Sequence, residues 1–217
     1  MDEARMDGNG GGRTTSASAA VRGCTPRRRR SRLTPEREAE LYTSVLDLLR
    51  EVGYDNLTMD AVAARTRCSK ATLYRQWAGK PQLVAEALRH EKPATLEGID
   101  TGSLRGDFAA VVAQMNELRM EQNTALMRGV LQAAHAHPDL LAALRERLVV
   151  PELSSLEALL GQAVERGEVP ADTAALSYVS YALLGSLIAH QLLEDKSADP
   201  AFVGNYIDAV VLPALGV

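Results

Sequence analysis

Between Pro35 and Gly53 the apolar residues Leu41, Val45, Leu48 and Val52 recur at steps of four, three and four. That spacing lays one buried stripe along an α-helix. Thr34-Pro35-Glu36 supplies its start: a hydroxyl to cap, a proline where no N–H is needed and a carboxylate for the helix dipole. Gly53 ends it, and the turn YDNLT leads to Thr58, whose hydroxyl caps a short second helix with Asp60 in its first turn. Met59, Val62 and Ala63 face its interior side, and its pattern is exhausted near Arg65-Thr66-Arg67. Ser69 caps a third helix only a few residues later. Two short helices joined so tightly cannot form a long antiparallel hairpin, so a steep crossing of the helix-turn-helix kind is predicted. Gly79 breaks the third helix, and Pro81 opens a fourth through Leu83, Val84, Ala87 and Leu88.

Further along, Ser103 to Met120 and Asn123 to His135 read as amphipathic helices. A long helix begins at Pro138, bends at Pro151 and stops at ERGEVP, with Gly167 as the residue beyond its end. Asp172 caps the next, to Glu194, and Asp199-Pro200 opens the last, to about Leu212. The expected fold is therefore all-α, with about nine helices. A chain of 217 residues, 46% hydrophobic and only 4% aromatic, can bury a real core and favours helices over a β-sandwich. The longest apolar run, Leu176 to Leu193, is interrupted by Ser177, Tyr178, Ser180, Tyr181, Ser186, His190 and Gln191, so no membrane span is expected.

Charge divides the chain. Residues 1–92 carry a surplus of five positive charges, whereas residues 93–217 carry a deficit of nine. A basic first part suits a polyanion such as DNA, and the acidic remainder would lie away from it. The third helix, within CSKATLYRQWAGK, sharpens this: Leu73 and Trp77 point one way, and Ala71, Thr72, Tyr74 and Arg75 point away from them. That outward face holds no carboxylate, which favours contact with phosphate. Lys80, at the start of the fourth helix, adds a positive charge to exposed N–H groups. Residues 1–33 (GNGGG, TTSASAA, PRRRR) read as a disordered basic tail whose Arg27 to Arg30 and Arg32 could follow phosphates or enter a minor groove. GNGGGR is not a phosphate loop, because no apolar strand precedes it and no Lys-Ser/Thr follows. Cys24 and Cys68 lie in unlike surroundings and suggest no disulfide framework, and the first 30 residues hold no signal-peptide core; a reducing, cytoplasmic protein is expected.

The stretch TMDAVAARTRCSKATLYRQWAGKPQLV resembles the TetR family of bacterial transcriptional repressors over roughly residues 35–92, with Thr58, Ala61, Ala64, Ser69, Leu73, Tyr74, Trp77 and Lys80 where the family pattern expects them. Two places depart from it: Arg67-Cys68 stand where the turn usually carries Gly-Val, and Pro81 replaces the acidic residue often found after the lysine. The resemblance implies a three-helix helix-turn-helix DNA-binding domain at 34–92 and a helical effector-binding and dimerisation domain at 93–217. It also implies a homodimer that sets two reading helices about 34–36 Å apart on a palindromic duplex operator. On the outward face, Arg75 is placed to read guanine and Thr72 a thymine methyl, with Ala71 on the same face and Lys70 and Gln76 to the sides. Thr58, Ser69, Tyr74 and Lys80 are expected to hold phosphates.

AVERGEVPAD resembles the link that precedes the family's last two helices. There Ala182, Gly185, Ser186 and Ala189 permit close approach of a second copy, with Ile207, Val210 and Val211 completing a four-helix interface; packing within one chain is the alternative. A mainly apolar pocket for a small-molecule effector is expected among Met115, Arg119, Met127, Gln132, His135, Tyr178 and Tyr181. His135 and His137 diverge on a helix and have no third ligand, so neither metal nor cofactor is expected. No Gly-x-Ser-x-Gly elbow occurs, and no enzyme is expected. The competing reading is an effector-independent DNA-binding or protein-interaction module with a filled C-terminal core.

Overall fold

The computed structural model describes residues 33–217, which form nine helices and no strand. The glycine-rich stretch, the arginine run Arg27 to Arg30 with Arg32, and Cys24 lie outside the described residues. Helix α1 spans Pro35–Asn56, and Thr34 Oγ1 accepts from the Arg37 N–H at 3.3 Å. Gly53 interrupts it at φ 73° and ψ 171°, a conformation that a side chain would resist. Leu41, Val45 and Leu48 are buried as expected, but Val52 is exposed because the helix breaks directly after it.

Helix α2 (Met59–Thr66) is capped by Thr58 and ends in a Schellman turn: the Cys68 N–H donates to Ala63 O and the Arg67 N–H to Ala64 O. The left-handed residue of that turn is Arg67, at φ 51°, where glycine is the usual occupant. Ser69 caps α3 (Lys70–Trp77) through the Thr72 N–H, and α4 (Lys80–His90) follows after a sharp turn, burying Leu83, Val84, Ala87 and Leu88.

The first helices of the remainder differ from expectation. Helix α5 is Leu104–Ala113 and α6 is Glu117–Ala136; the break falls at Gln114–Asn116 because the Asn116 side chain accepts from the Arg119 N–H and starts a new helix. Helix α7 joins Pro138–Leu144 to Val150–Glu165 through a π turn at Arg145–Val149. Helix α9 does the same, with Pro200–Tyr206, a π turn at Ile207–Val211 and Leu212–Leu215. Both π turns lie just before a proline, Pro151 and Pro213, whose ring would clash with the carbonyl four residues earlier in an undistorted helix. Gly167 closes α7, as its position predicts, at φ 77°. Asp172 does not cap the following helix. A 3-10 turn at Ala174–Tyr178 intervenes, and α8 begins only at Val179, running to Glu194.

Thr34–Val217 packs as one unit, in which α1 lies against both α4 and α6. A second core joins Leu104 and Phe108 of α5, Leu159 and Ala163 of α7, Val179 of α8, and Val203, Ile207, Val211 and Leu215 of α9. At its edge Asp107, fully buried, accepts from the Thr101 N–H at 2.6 Å and the Thr101 hydroxyl at 2.7 Å, and pairs with Arg166 at 2.8 Å. Arg166 also pairs with Glu168, which accepts from the Leu104 N–H, so this knot ties the start of α5 to the end of α7.

Candidate nucleic-acid interface

Helix α3 is held from behind by aromatic packing and a hydrogen-bonded chain. Leu73 and Trp77 are buried, and the Trp77 indole reaches back to α1. Glu38 Oε1 accepts from the Tyr42 hydroxyl at 2.7 Å and from Gln76 Nε2 at 3.0 Å, so Gln76 is committed to the fold more than the lateral position expected of it suggests. Burial, followed by the bond to Glu38, pushes the Tyr42 phenol well above its ordinary pKa and keeps it a donor.

Ala71, Tyr74 and Arg75 face outward, Tyr74 with 51% of its surface exposed. Thr72 is half-buried and its hydroxyl shares a hydrogen bond of 2.9 Å with that of Ser69. Thr58 and Ser69 spend their oxygens as caps, on the Ala61 and Thr72 N–H groups. Lys70 is paired with Asp60. Lys80 turns inward: its ammonium donates to Tyr54 O at 3.0 Å and lies 4.1 Å from the centre of the Tyr54 ring. Arg65 is bidentate on Glu51. Among the described residues, Arg67 and Arg75 alone of the five cations from Thr58 to Lys80 make no ion pair or hydrogen bond through their side chains. Arg67, absent from the predicted contacts, stands in the turn that delivers α3; its place directly before that helix was the available signal.

The charge surplus of residues 1–92 has a local origin. Residues 34–92 hold nine cations and nine carboxylates, so the surplus lies in 1–33. Between Thr58 and Lys80, however, five cations face one carboxylate, Asp60. Local placement, more than net charge, makes this edge basic.

Elsewhere the placement departs from the expected pocket. One cavity of about 430 Å³ opens between α1 and α6, and one of about 260 Å³ between residues 96–99 and α7. None of Met115, Arg119, Met127, Gln132, His135, Tyr178 and Tyr181 lines either. Met115 packs on the second core, Met127 is half-buried, and Arg119, Gln132 and His135 on α6, Tyr178 in the 3-10 turn and Tyr181 on α8 are exposed.

The expected interface residues also divide. Gly185 and Ala189 are exposed on α8, Ala182 and Ser186 are half-buried, and Val210 is exposed on α9. Ile207 and Val211 are instead buried in the chain's own core, which removes them from any contact with a second copy. Around the small residues runs a stripe of large ones: Tyr181, expected in the pocket instead, with Leu184, Ile188 (65% exposed) and Leu192 (82% exposed). By length and composition, Ala174–Glu194 is also apolar enough to cross a membrane, with mean hydropathy 1.3.

Known proteins share both the sequence and the layout. Residues 45–87 match the family model described as bacterial regulatory proteins, tetR family, and residues 99–210 match that described as tetracyclin repressor-like, C-terminal domain. The DNA-binding transcriptional repressor TetR of Mycobacteroides abscessus is 35% identical over 177 residues, covering 81% of this chain and 92% of its own. An uncharacterized HTH-type transcriptional regulator of Mycobacterium tuberculosis is 36% identical over 190 residues, covering 82% and 88%. Among solved structures, a TetR family transcription regulator with 25% identity covers 82% of this chain and 98% of its own, with a TM-score of 0.61. A TetR transcriptional regulator from Agrobacterium tumefaciens, at 18% identity and a TM-score of 0.54, covers 82% and 93% and shares the fold.

Proposed function

Because the chain belongs to the TetR family and is a DNA-binding transcriptional regulator, we propose that α3 is its reading helix and that it represses from a palindromic operator. The observation that carries this assignment is the pair Arg67 and Arg75, both exposed and uncommitted beside a carboxylate-free helix face anchored by Trp77. Arg75 reads a base edge, Thr72 and Ala71 approach a thymine methyl, and Arg67, Lys70 and Tyr74 hold phosphates with the capped N-termini at Thr58 and Ser69. Lys80 and Gln76 act from behind, setting the pose of the helix.

Residues 34–92 work as the reading part and 93–217 as the sensing and pairing part, although they pack as one unit. Two copies join through the α8 stripe with Val210, which gives that exposed apolar surface a partner other than lipid. Ser180, Ser186, His190 and Gln191 within α8 favour that partner over a bilayer. The work takes place on chromosomal DNA, in the cytoplasm. A small molecule bound in one of the cavities lowers operator affinity, with a coupling of about 1–3 kcal/mol. The match of residues 99–210 to the tetracyclin repressor-like C-terminal domain favours this over an effector-independent module with a filled core.

Selection of bound duplexes from a random library tests the reading. The expected product is an inverted repeat whose half-sites are centred about one helical turn apart. Failure to enrich any sequence contradicts it.

A further inference from the structure

The larger of these two cavities lies where α1 meets α6 and opens to solvent, with Arg50, Gly53, Gln122, Ala125 and Gly129 exposed at its mouth. Leu49, Leu126 and Val130 are buried apolar walls, and Arg50 and Gln122 stand at the polar side. Arg50 bonds to Asp47 through one nitrogen, Nη1, which leaves the rest of its guanidinium available. Tyr54 completes the wall. It is only 5% exposed, and its ring is buried at the seam. Burial, then the charges of Asp139 and Asp55, push its pKa up to about 12, so it remains a donor at neutral pH. A volume of about 430 Å³ lies within the range of small-molecule sites.

Tyr54 is also a junction. Its carbonyl accepts from Lys80 Nζ, its ring lies beneath that ammonium, and the ring meets His137, at the start of α7, with centroids 5.2 Å apart. Lys80 opens α4 three residues after Trp77 closes α3. A molecule pressing on Tyr54 therefore acts on the connection between the two parts of the chain and on the seat of α3 together.

We propose that the α1–α6 cavity is an effector site for a small, mostly apolar molecule bearing one anionic or hydrogen-bond-accepting group, which the side chains of Arg50 and Gln122 receive while its apolar part lies against Leu49, Tyr54, Leu126 and Val130. Occupancy alters the pose of α3 through Tyr54 and Lys80. This rests on the regulator reading above and adds to it a place and a ligand chemistry.

The probe is 8-anilino-1-naphthalenesulfonate, an apolar ring system with one anion. It binds the wild type at one site per chain and shifts operator half-saturation to higher protein concentration. Gly129→Met places a large side chain at the cavity wall without a clash, since a Cβ there meets no atom within 4 Å, and Arg50→Gln removes the cationic partner. Each weakens probe binding about tenfold while circular dichroism stays native, and Ala158→Met, in the smaller cavity, leaves binding unchanged. The assignment is overturned if the probe does not bind, if Gly129→Met and Arg50→Gln both bind it as the wild type does, or if only Ala158→Met weakens it. Operator binding by the protein without probe separates the two failures. Intact operator binding with any of those results sinks the cavity alone, whereas no operator binding sinks the regulator reading and this proposal with it.

Discussion

The indole N–H of Trp77 donates to the hydroxyl of Tyr42 at 3.1 Å, and the two rings meet edge to face with centroids 5.8 Å apart. Through Tyr42 and Glu38 the outermost turn of α3 is thereby fixed to the first turns of α1. Tyr42→Phe leaves the indole N–H buried without its acceptor and is expected to cost about 1–3 kcal/mol in urea denaturation at neutral pH. Wild-type stability in that variant would show that the chain of bonds does not hold the helix.

Lys80 serves the fold whether or not it also meets DNA. Lys80→Met removes the bond to Tyr54 O and the ammonium from above the ring, so thermal unfolding should show a loss of about 1 kcal/mol without DNA present. A lysine used only for phosphate would leave unfolding unchanged.

Ile188 sits mid-stripe on α8 between Leu184 and Leu192. Ile188→Glu places a charge where the second copy must pack, and desolvating it costs more than the interface can return. Sedimentation should give twice 23.4 kDa for the wild type and 23.4 kDa for the variant. The same mass for both would remove α8 from the interface.

Asp107 is the buried acid whose pairing should be visible in the pH dependence of stability. Burial alone would raise its pKa, but the bonds from the Thr101 N–H and hydroxyl and from Arg166 outweigh it and hold the carboxyl below its ordinary value. A depressed pKa stabilises the fold above the unfolded value and loses that contribution as pH falls through the folded one. Asp107→Asn is therefore expected to cost about 3 kcal/mol at neutral pH, and the gap from wild type should close below about pH 4. A gap independent of pH would contradict the assignment.

Local chemistry was readable in advance where it acts within one turn. Thr34, Thr58, Ser69 and Asp199 each cap the helix their spacing marks, and Gly53 and Gly167 break the chain where expected. Misses arose where register or distance decides. The π turn at Ile207–Val211 carries an extra residue per turn, and in the folded chain Ile207 and Val211 face inward while Val210 faces outward, a division the helical period had not drawn. The cap at Asn116 lies inside an apparently continuous apolar pattern, which hides it. The cavity is lined by Leu49 and Gly53 of α1 and by Leu126 and Gly129 of α6, residues far apart in sequence, and no periodicity points to such a seam. Arg67 departs from the usual turn residue, and it supplies one of the two uncommitted cations of this edge.

The most direct test of the central claim is operator affinity measured across a range of salt for wild type, Arg75→Ala and Arg67→Ala. Arg75→Ala is expected to lose about 1–3 kcal/mol and to relax preference at one base pair of each half-site. Arg67→Ala should weaken all sequences alike and reduce the salt slope by about one for each phosphate released. Unchanged affinity, preference and slope in both variants would show that α3 and its turn do not face the duplex.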